Sequence, residues 1–139
     1  MKKNEFCKEE RLCNKASIDG LFHKGSSFVF YPFRIVFIQP QLPAREGKHG
    51  VQVLISVPKR RIKKASDRNL IKRRIREAYR LQKAELLSPF FEQDNQPVHF
   101  AIQYLSSDIL EFDFISEKLG GALLKLCSEY ANLYLGETH

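Results

Sequence analysis

Between Lys59 and Lys83 the chain carries twelve Lys or Arg and only two acids, Asp67 and Glu77, a local charge of +10. The rest holds 11 basic and 14 acidic residues, or −3, so the formal charge of +7 hides a mildly acidic body bearing one intensely basic segment. Charge concentrated in this way suits a polyanion, a nucleic acid or an acidic membrane surface. Groups that could break bonds by themselves are scattered. His23, His49, His99 and His139 lie far apart, and no His, Asp or Glu pair sits at a recognisable acid–base spacing. Cys7, Cys13 and Cys127 include no Cys-x-x-Cys pair, which argues against a disulfide framework and a zinc site. The chemistry legible here is recognition of phosphates, with no catalytic residue of the chain's own.

Those charges need an element to order them. A helix capped by Ser66 or Asp67 is expected to run to about Ala84, with Asp67 also suiting the positive end of its dipole. Taking 100° per residue and Arg68 as zero, Lys72 falls at about 40°, Lys83 at about 60°, Arg76 at about 80°, Asn69 at about 100°, Arg80 at about 120° and Arg73 at about 140°. Ile71, Ile75 and Ala78 occupy about 280° to 340°, while Glu77 (about 180°) and Arg74 (about 240°) lie outside the basic arc. One flank is thus apolar, and a basic stripe about 140° wide faces away from it. A merely solvated face usually mixes signs so that residues four apart attract. Arg68, Lys72, Arg76 and Arg80 instead repel along the whole stripe, a cost that an external anion relieves. Arginine dominates lysine on the helix, and its planar fork suits phosphate and stacking. Asn69 adds an uncharged donor and acceptor able to touch a 2′-hydroxyl, a base edge or a metal-bound water. A membrane surface fits poorly, because the apolar stripe is narrow and lacks Trp or Phe.

The remaining elements read as one domain spanning 1–139, with a core from about 11 to 130 and flexible ends. Residues 11–24 suggest a helix with Leu12, Ala16 or Ile18, Leu21 and Phe22 as its buried stripe, stopped by Gly25-Ser26-Ser27. Phe28–Ile38 reads as one strand and Val51–Val57 as a second, paired as an antiparallel hairpin across a long 39–50 loop to which no role is assigned. Ser88-Pro89 and residues 94–97 mark a loop, Val98–Leu105 a third strand, and a last helix starts near Asp113. Gly120-Gly121 inside that helix costs roughly 1 kcal/mol per glycine against alanine, so a close packing contact is the expected reason. The order is α-β-β-α-β-α. The first ten residues have no apolar stretch after their lysines, and no apolar run approaches the roughly 20 residues that cross a bilayer. An intracellular, soluble protein is expected.

The stretch Ala65-Ser66-Asp67-Arg68-Asn69-Leu70-Ile71-Lys72-Arg73-Arg74-Ile75-Arg76-Glu77 resembles the signature of the bacterial ribonuclease P protein component, A-x-x-R-N-x-x-K-R-x-x-R-E, with every fixed position met. Arg11-Leu12 through Phe22-His23-Lys24-Gly25 is similar to that family's opening helix, and Ile55-Ser56-Val57-Pro58-Lys59-Arg60 to its strand end. The order of elements agrees to about Tyr130.

The resemblance implies an α+β, or α/β sandwich, fold like the second domain of ribosomal protein S5, with a left-handed βαβ crossover formed by the basic helix. It implies a cytoplasmic protein that, with a large catalytic RNA, removes the 5′ leader of precursor tRNA. The RNA and substrate hold the Mg²⁺ ions, and no membrane or protein partner is required. On this basis Arg68, Asn69, Lys72, Arg73, Arg76 and Arg80 touch the catalytic RNA, and Lys59 and Arg60 extend that surface. The leader would lie in a cleft at the positions of Ile18, Phe22 and Val36. Phe22 keeps the family's aromatic, whereas Ile18 and Val36 stand where aromatics are common, so stacking is either weaker here or carried by other rings. The alternative for Phe22 is an ordinary core position. Residues 60–64 are one longer than the common pattern and lack its glycine. The competing reading for the whole chain is a non-catalytic RNA- or ribosome-binding module with the same fold. A protein-only nuclease is disfavoured by the missing acid–base constellation.

Overall fold

The computed structural model describes residues 11–40, 50–91 and 96–136. Asn14 opens α1 (Lys15–Lys24) by accepting the Ser17 N–H on its side chain at 3.1 Å. Gly25 closes it, its N–H donating to the Leu21 carbonyl at 2.9 Å. The backbone here passes so close to the strand through Val36 and Phe37 that a Cβ on Gly25 would stand 2.9 Å from the Phe37 carbonyl and 3.2 Å from Val36 Cγ1. The segment before α1 runs beside Val53, with Leu12 N–H donating to the Val53 carbonyl.

The expected first strand is two strands, β1 (Ser26–Phe30) and β2 (Phe33–Ile38), folded into an antiparallel hairpin at Tyr31–Pro32, whose peptide bond is cis. Proline lacks the N–H a continuous ladder needs, which is why Pro32 breaks the run. β3 (Val51–Ser56) is followed by α2 (Ala65–Leu86), a short α3 (Ser88–Phe91), β4 (Val98–Tyr104) and α4 (Phe112–Tyr134). The sheet order is β1-β2-β4-β3. β2 and β3 therefore do not pair, contrary to the hairpin expected from sequence. β4 lies between them, antiparallel to β2 and parallel to β3. Its side chains are apolar toward one layer (Val98, Phe100, Ile102, Tyr104) and include Ala101 toward the other, so it takes the twice-covered centre. β3 alternates with the polar Gln52 and Ser56 and suits an edge. A parallel pair needs a crossover, and α2 supplies it.

α2 and α4 cover one face of the sheet and α1 the other. The larger core joins Phe33, Ile35, Phe37, Phe100 and Ile102 to Ile71, Ile75 and Tyr79 of α2 and to Leu119, Leu123 and Tyr130 of α4. The smaller joins Leu12, Leu21, Val36 and Ala101, with Ile18, Ile38 and Leu54 against them. Two buried tyrosines keep their hydroxyls bonded: Tyr130 accepts from Gln39 Nε2 (2.9 Å) and donates to the Pro97 carbonyl (2.7 Å), and Tyr104 donates to the Asp108 carbonyl. The expected loop at Ser88-Pro89 is instead the α3 turn, drawn in by buried Phe91. The flexible ends and most of the 39–50 and 94–97 loops expected from sequence lie outside the described residues.

The two glycines of α4 do mark close approaches. A Cβ on Gly120 would stand 2.6 Å from Gln82 Oε1 of α2, and one on Gly121 would enter the Phe30 ring, 2.8 Å from Cε1. Gly121→Val should displace that half-buried ring and destabilise the protein by about 1–3 kcal/mol, outweighing the helix propensity it restores. A thermal melt checks this; a raised midpoint would contradict it.

Candidate nucleic-acid interface

α2 begins at Ala65, one residue before the expected caps, and no side chain caps it at Lys64; Asp67 lies in the first turn, where its charge opposes the helix dipole's positive end. Its buried residues are Ile71, Ile75, Ala78, Tyr79 and Lys83. Tyr79 falls at about 20° on the helical projection and Lys83 at about 60°, so the buried arc is wider than Ile71, Ile75 and Ala78 alone suggest. It covers the low-angle edge of the basic stripe. Lys83 is only 8% exposed and leaves the stripe, while Arg68 and Lys72 are half-buried at its margin. The large ring of Tyr79, packed near Phe100, sets this rotation.

Asn69, Arg73 and Arg76 occupy the exposed centre. Their side chains, like those of Lys59, Arg60 and Lys72, make no hydrogen bond or ion pair with any described residue. Three other arginines of α2 are engaged. Arg74 donates to the Leu110 carbonyl at 2.5 Å, tying α2 to the segment before α4, in keeping with its place outside the stripe. Arg80 forms a two-pronged pair with Glu77, Nε to Oε2 at 3.0 Å and Nη2 to Oε1 at 2.5 Å. The hydrogen bond from Arg80 holds the Glu77 carboxyl below its ordinary range and raises the Arg80 guanidinium in return. An exposed pair of this kind is weak and can open to a stronger anion. Arg68 Nη1 donates to the carbonyls of Ile62 (2.9 Å) and Lys63 (2.8 Å).

The strand-end cations are set by a tight turn. The N–H groups of Arg61 and Ile62 both donate to the Pro58 carbonyl, at 3.0 and 3.2 Å, and the Ile62 side chain is buried in the larger core. Lys59 and Arg60 are left exposed, as are Lys63 and Lys64, which the sequence reading counts in the charge but leaves out of the face. Their position next to an exposed helix start was the available signal.

Of the proposed cleft residues, Phe22 is 42% exposed, so it is not a core side chain. Ile18 is half-buried and Val36 only 3% exposed. Val36 forms the floor of the cluster beneath α1 instead of offering a surface to a ligand, because it packs there with Leu21 and Ile18 of α1. Ala16, a candidate for the buried stripe of α1, is exposed. The adjacent sheet row carries Arg34, Gln103 and Ser56 in register, with Arg34 Nη2 donating to Ser27 Oγ at 3.3 Å. Strand alternation, which puts Arg34 and Gln103 out of phase with the core residues, could have revealed that row. His99 lies on the same face and burial lowers its pKa, favouring the neutral ring.

A model of the family described as Ribonuclease P matches residues 6–107. The chain is 31% identical over 119 residues to the ribonuclease P protein component of Porphyromonas gingivalis, covering 86% of this chain and 84% of that one. Two solved structures share the fold. The RNase P protein of Staphylococcus aureus superposes with a TM-score of 0.61 at 22% identity, covering 84% of this chain and 94% of that one. The RNase P protein from Thermotoga maritima gives 0.63 at 21% identity, with 84% and 96% covered.

Proposed function

This chain belongs to the bacterial ribonuclease P protein family and is a subunit of the endoribonuclease that matures tRNA 5′ ends, and from that premise we propose how it meets its RNA partners. The outer face of α2 meets the catalytic RNA: Arg73 and Arg76 take phosphates, Asn69 reads a neighbouring hydroxyl or base edge, and Lys72, Lys59 and Arg60 extend the contact. The observation that carries this is the outward stance of Arg73 and Arg76 beside Asn69, the two arginines repelling each other and neither matched by any described carboxylate. Arg80 joins by exchanging Glu77 for phosphate. Arg68 stands at the margin of this face. Glu77 keeps Arg80 extended until the RNA arrives.

The 5′ leader of precursor tRNA lies beside α1, where the exposed Phe22 ring stacks on an unpaired base and half-buried Ile18 adds apolar contact. Stacking is indifferent to base identity and so suits leaders of varied sequence. Mg²⁺ is assigned in this proposal to the catalytic RNA and its substrate, as the family resemblance implies. The ion supplies charge stabilisation at the scissile phosphate; the protein's share is to bring leader and RNA together. No described helix is long and apolar enough to cross a membrane. The reading places the protein in the cytoplasm with its substrate.

Adding the purified chain to a bacterial ribonuclease P RNA at low Mg²⁺ should restore leader removal from precursor tRNA. RNA binding without any gain in cleavage would favour a non-catalytic RNA- or ribosome-binding module. Phe22→Ala should weaken precursor tRNA binding by about 1–3 kcal/mol, the value of one base–aromatic stack, and leave mature tRNA unchanged. Equal weakening of both would remove Phe22 from the leader path.

A further inference from the structure

Arg68 stands first in the motif that faces RNA, yet its guanidinium points back along the chain. Nη1 uses its hydrogens on the carbonyls of Ile62 and Lys63, while the backbone N–H of Arg68 donates to the carbonyl of Lys64 at 3.0 Å. One residue thereby holds three successive carbonyls, 62 to 64. The far end of the same segment is held by the Pro58 carbonyl, and its middle by the buried Ile62 side chain. No side chain caps α2 from Lys64, so the bonds from Arg68 bridge loop and helix where an ordinary cap is missing. The segment carries Lys59, Arg60, Lys63 and Lys64, all exposed. With half-buried Arg61 the short loop holds five like charges, which repel, and without a brace they would spread over many conformations, each of which an RNA must pay to collapse.

We infer that Arg68 is a positioning residue, whose guanidinium braces the carbonyls of Ile62 and Lys63 and so aligns the exposed Lys63 and Lys64 with the outer face of α2. It acts on RNA through those lysines. This inference rests on the reading of α2 as the RNA face. A lysine at 68 keeps the charge and has donors enough, but its ammonium sits one bond nearer the backbone and falls short of the carbonyls that Arg68 Nη1 reaches at 2.9 and 2.8 Å.

Two measurements test it. In the free protein, amide hydrogen exchange at Arg61 and Ile62, whose N–H groups the Pro58 carbonyl protects, should quicken about fivefold or more in Arg68→Lys as well as in Arg68→Ala. With ribonuclease P RNA, Arg68→Ala should cost about tenfold in affinity in the otherwise native chain but about threefold or less once Lys63→Ala and Lys64→Ala are present, the coupling expected of groups that act together. Arg68→Lys is carried through the same cycle, so the result does not depend on the alanine variant folding. Unchanged exchange in both variants overturns the brace, and a tenfold loss that persists without Lys63 and Lys64 makes Arg68 a direct phosphate contact instead. Arg73→Ala in the same titration reports separately on the RNA face. If it binds like the native chain, that face is refuted and exchange alone decides the brace.

Discussion

Replacing Arg73 and Arg76 together by alanine should lower the log–log salt slope for ribonuclease P RNA by about 1.4 to 1.8, since each lost phosphate contact removes about 0.7–0.9. Affinity at low salt should fall by about tenfold to a hundredfold, with each charge-assisted contact contributing about 1 kcal/mol after solvation. Folding should be untouched. Both side chains are exposed and bonded to no described residue, and exposed substitutions of that sort usually stay within about 0.5 kcal/mol. Filter binding across a salt series, beside a thermal melt of each variant, separates the two effects. A native slope with weakened binding would mean that the loss is not electrostatic and would remove this pair from the interface. The choice of pair comes from the structure. Spacing alone nominates Arg68 with Arg76, but Arg68→Ala would also free the loop that its guanidinium holds, and the two consequences would be confounded.

Ile75→Ala should be the most damaging single change on α2, though it removes no charge. Ile75 is fully buried between the helix and the sheet, and deleting its three carbons leaves a cavity as well as lost transfer energy, together about 2–5 kcal/mol. Against the roughly 5–15 kcal/mol that stabilises an ordinary domain, this is a large share, worth a fall of about 10 °C in the melting midpoint. RNA affinity measured well below the new midpoint should change much less than for the arginine pair, because the outward side chains stay on the helix. A melt unchanged within about 2 °C would show that α2 is not anchored where the packing places it.

The basic helix was readable because its signal is local. Charges and isoleucines repeat with the helical period, and Arg74 and Glu77 fall outside the stripe in both readings. The helix's rotation was harder to read. Tyr79 lies near the boundary of the arc on a helical projection, and only its packing near Phe100 shows that the core claims it and takes Lys83 inward as well. The partners of Arg68 and Arg80 separate in the same way. Glu77 is three residues from Arg80 and could be suspected from spacing, whereas backbone carbonyls as acceptors leave no trace in side-chain types.

Composition and period alone were enough to give a mixed α/β fold, a basic amphipathic helix and the two glycines of α4 as contact points. They erred on strand pairing, because two alternating runs joined by a long loop look like a hairpin whether or not a third strand later inserts between them. The order β1-β2-β4-β3 puts the deeply buried β4 between β2 and β3, and that burial, with Ala101 covered on one face and Val98, Phe100, Ile102 and Tyr104 on the other, exists only once helices cover both sides of the sheet. Which cations of the helix stand free was likewise settled by packing: the sequence supplies the charges, but burial and the backbone acceptors within reach leave Arg73 and Arg76, with the uncharged Asn69 between them, facing water.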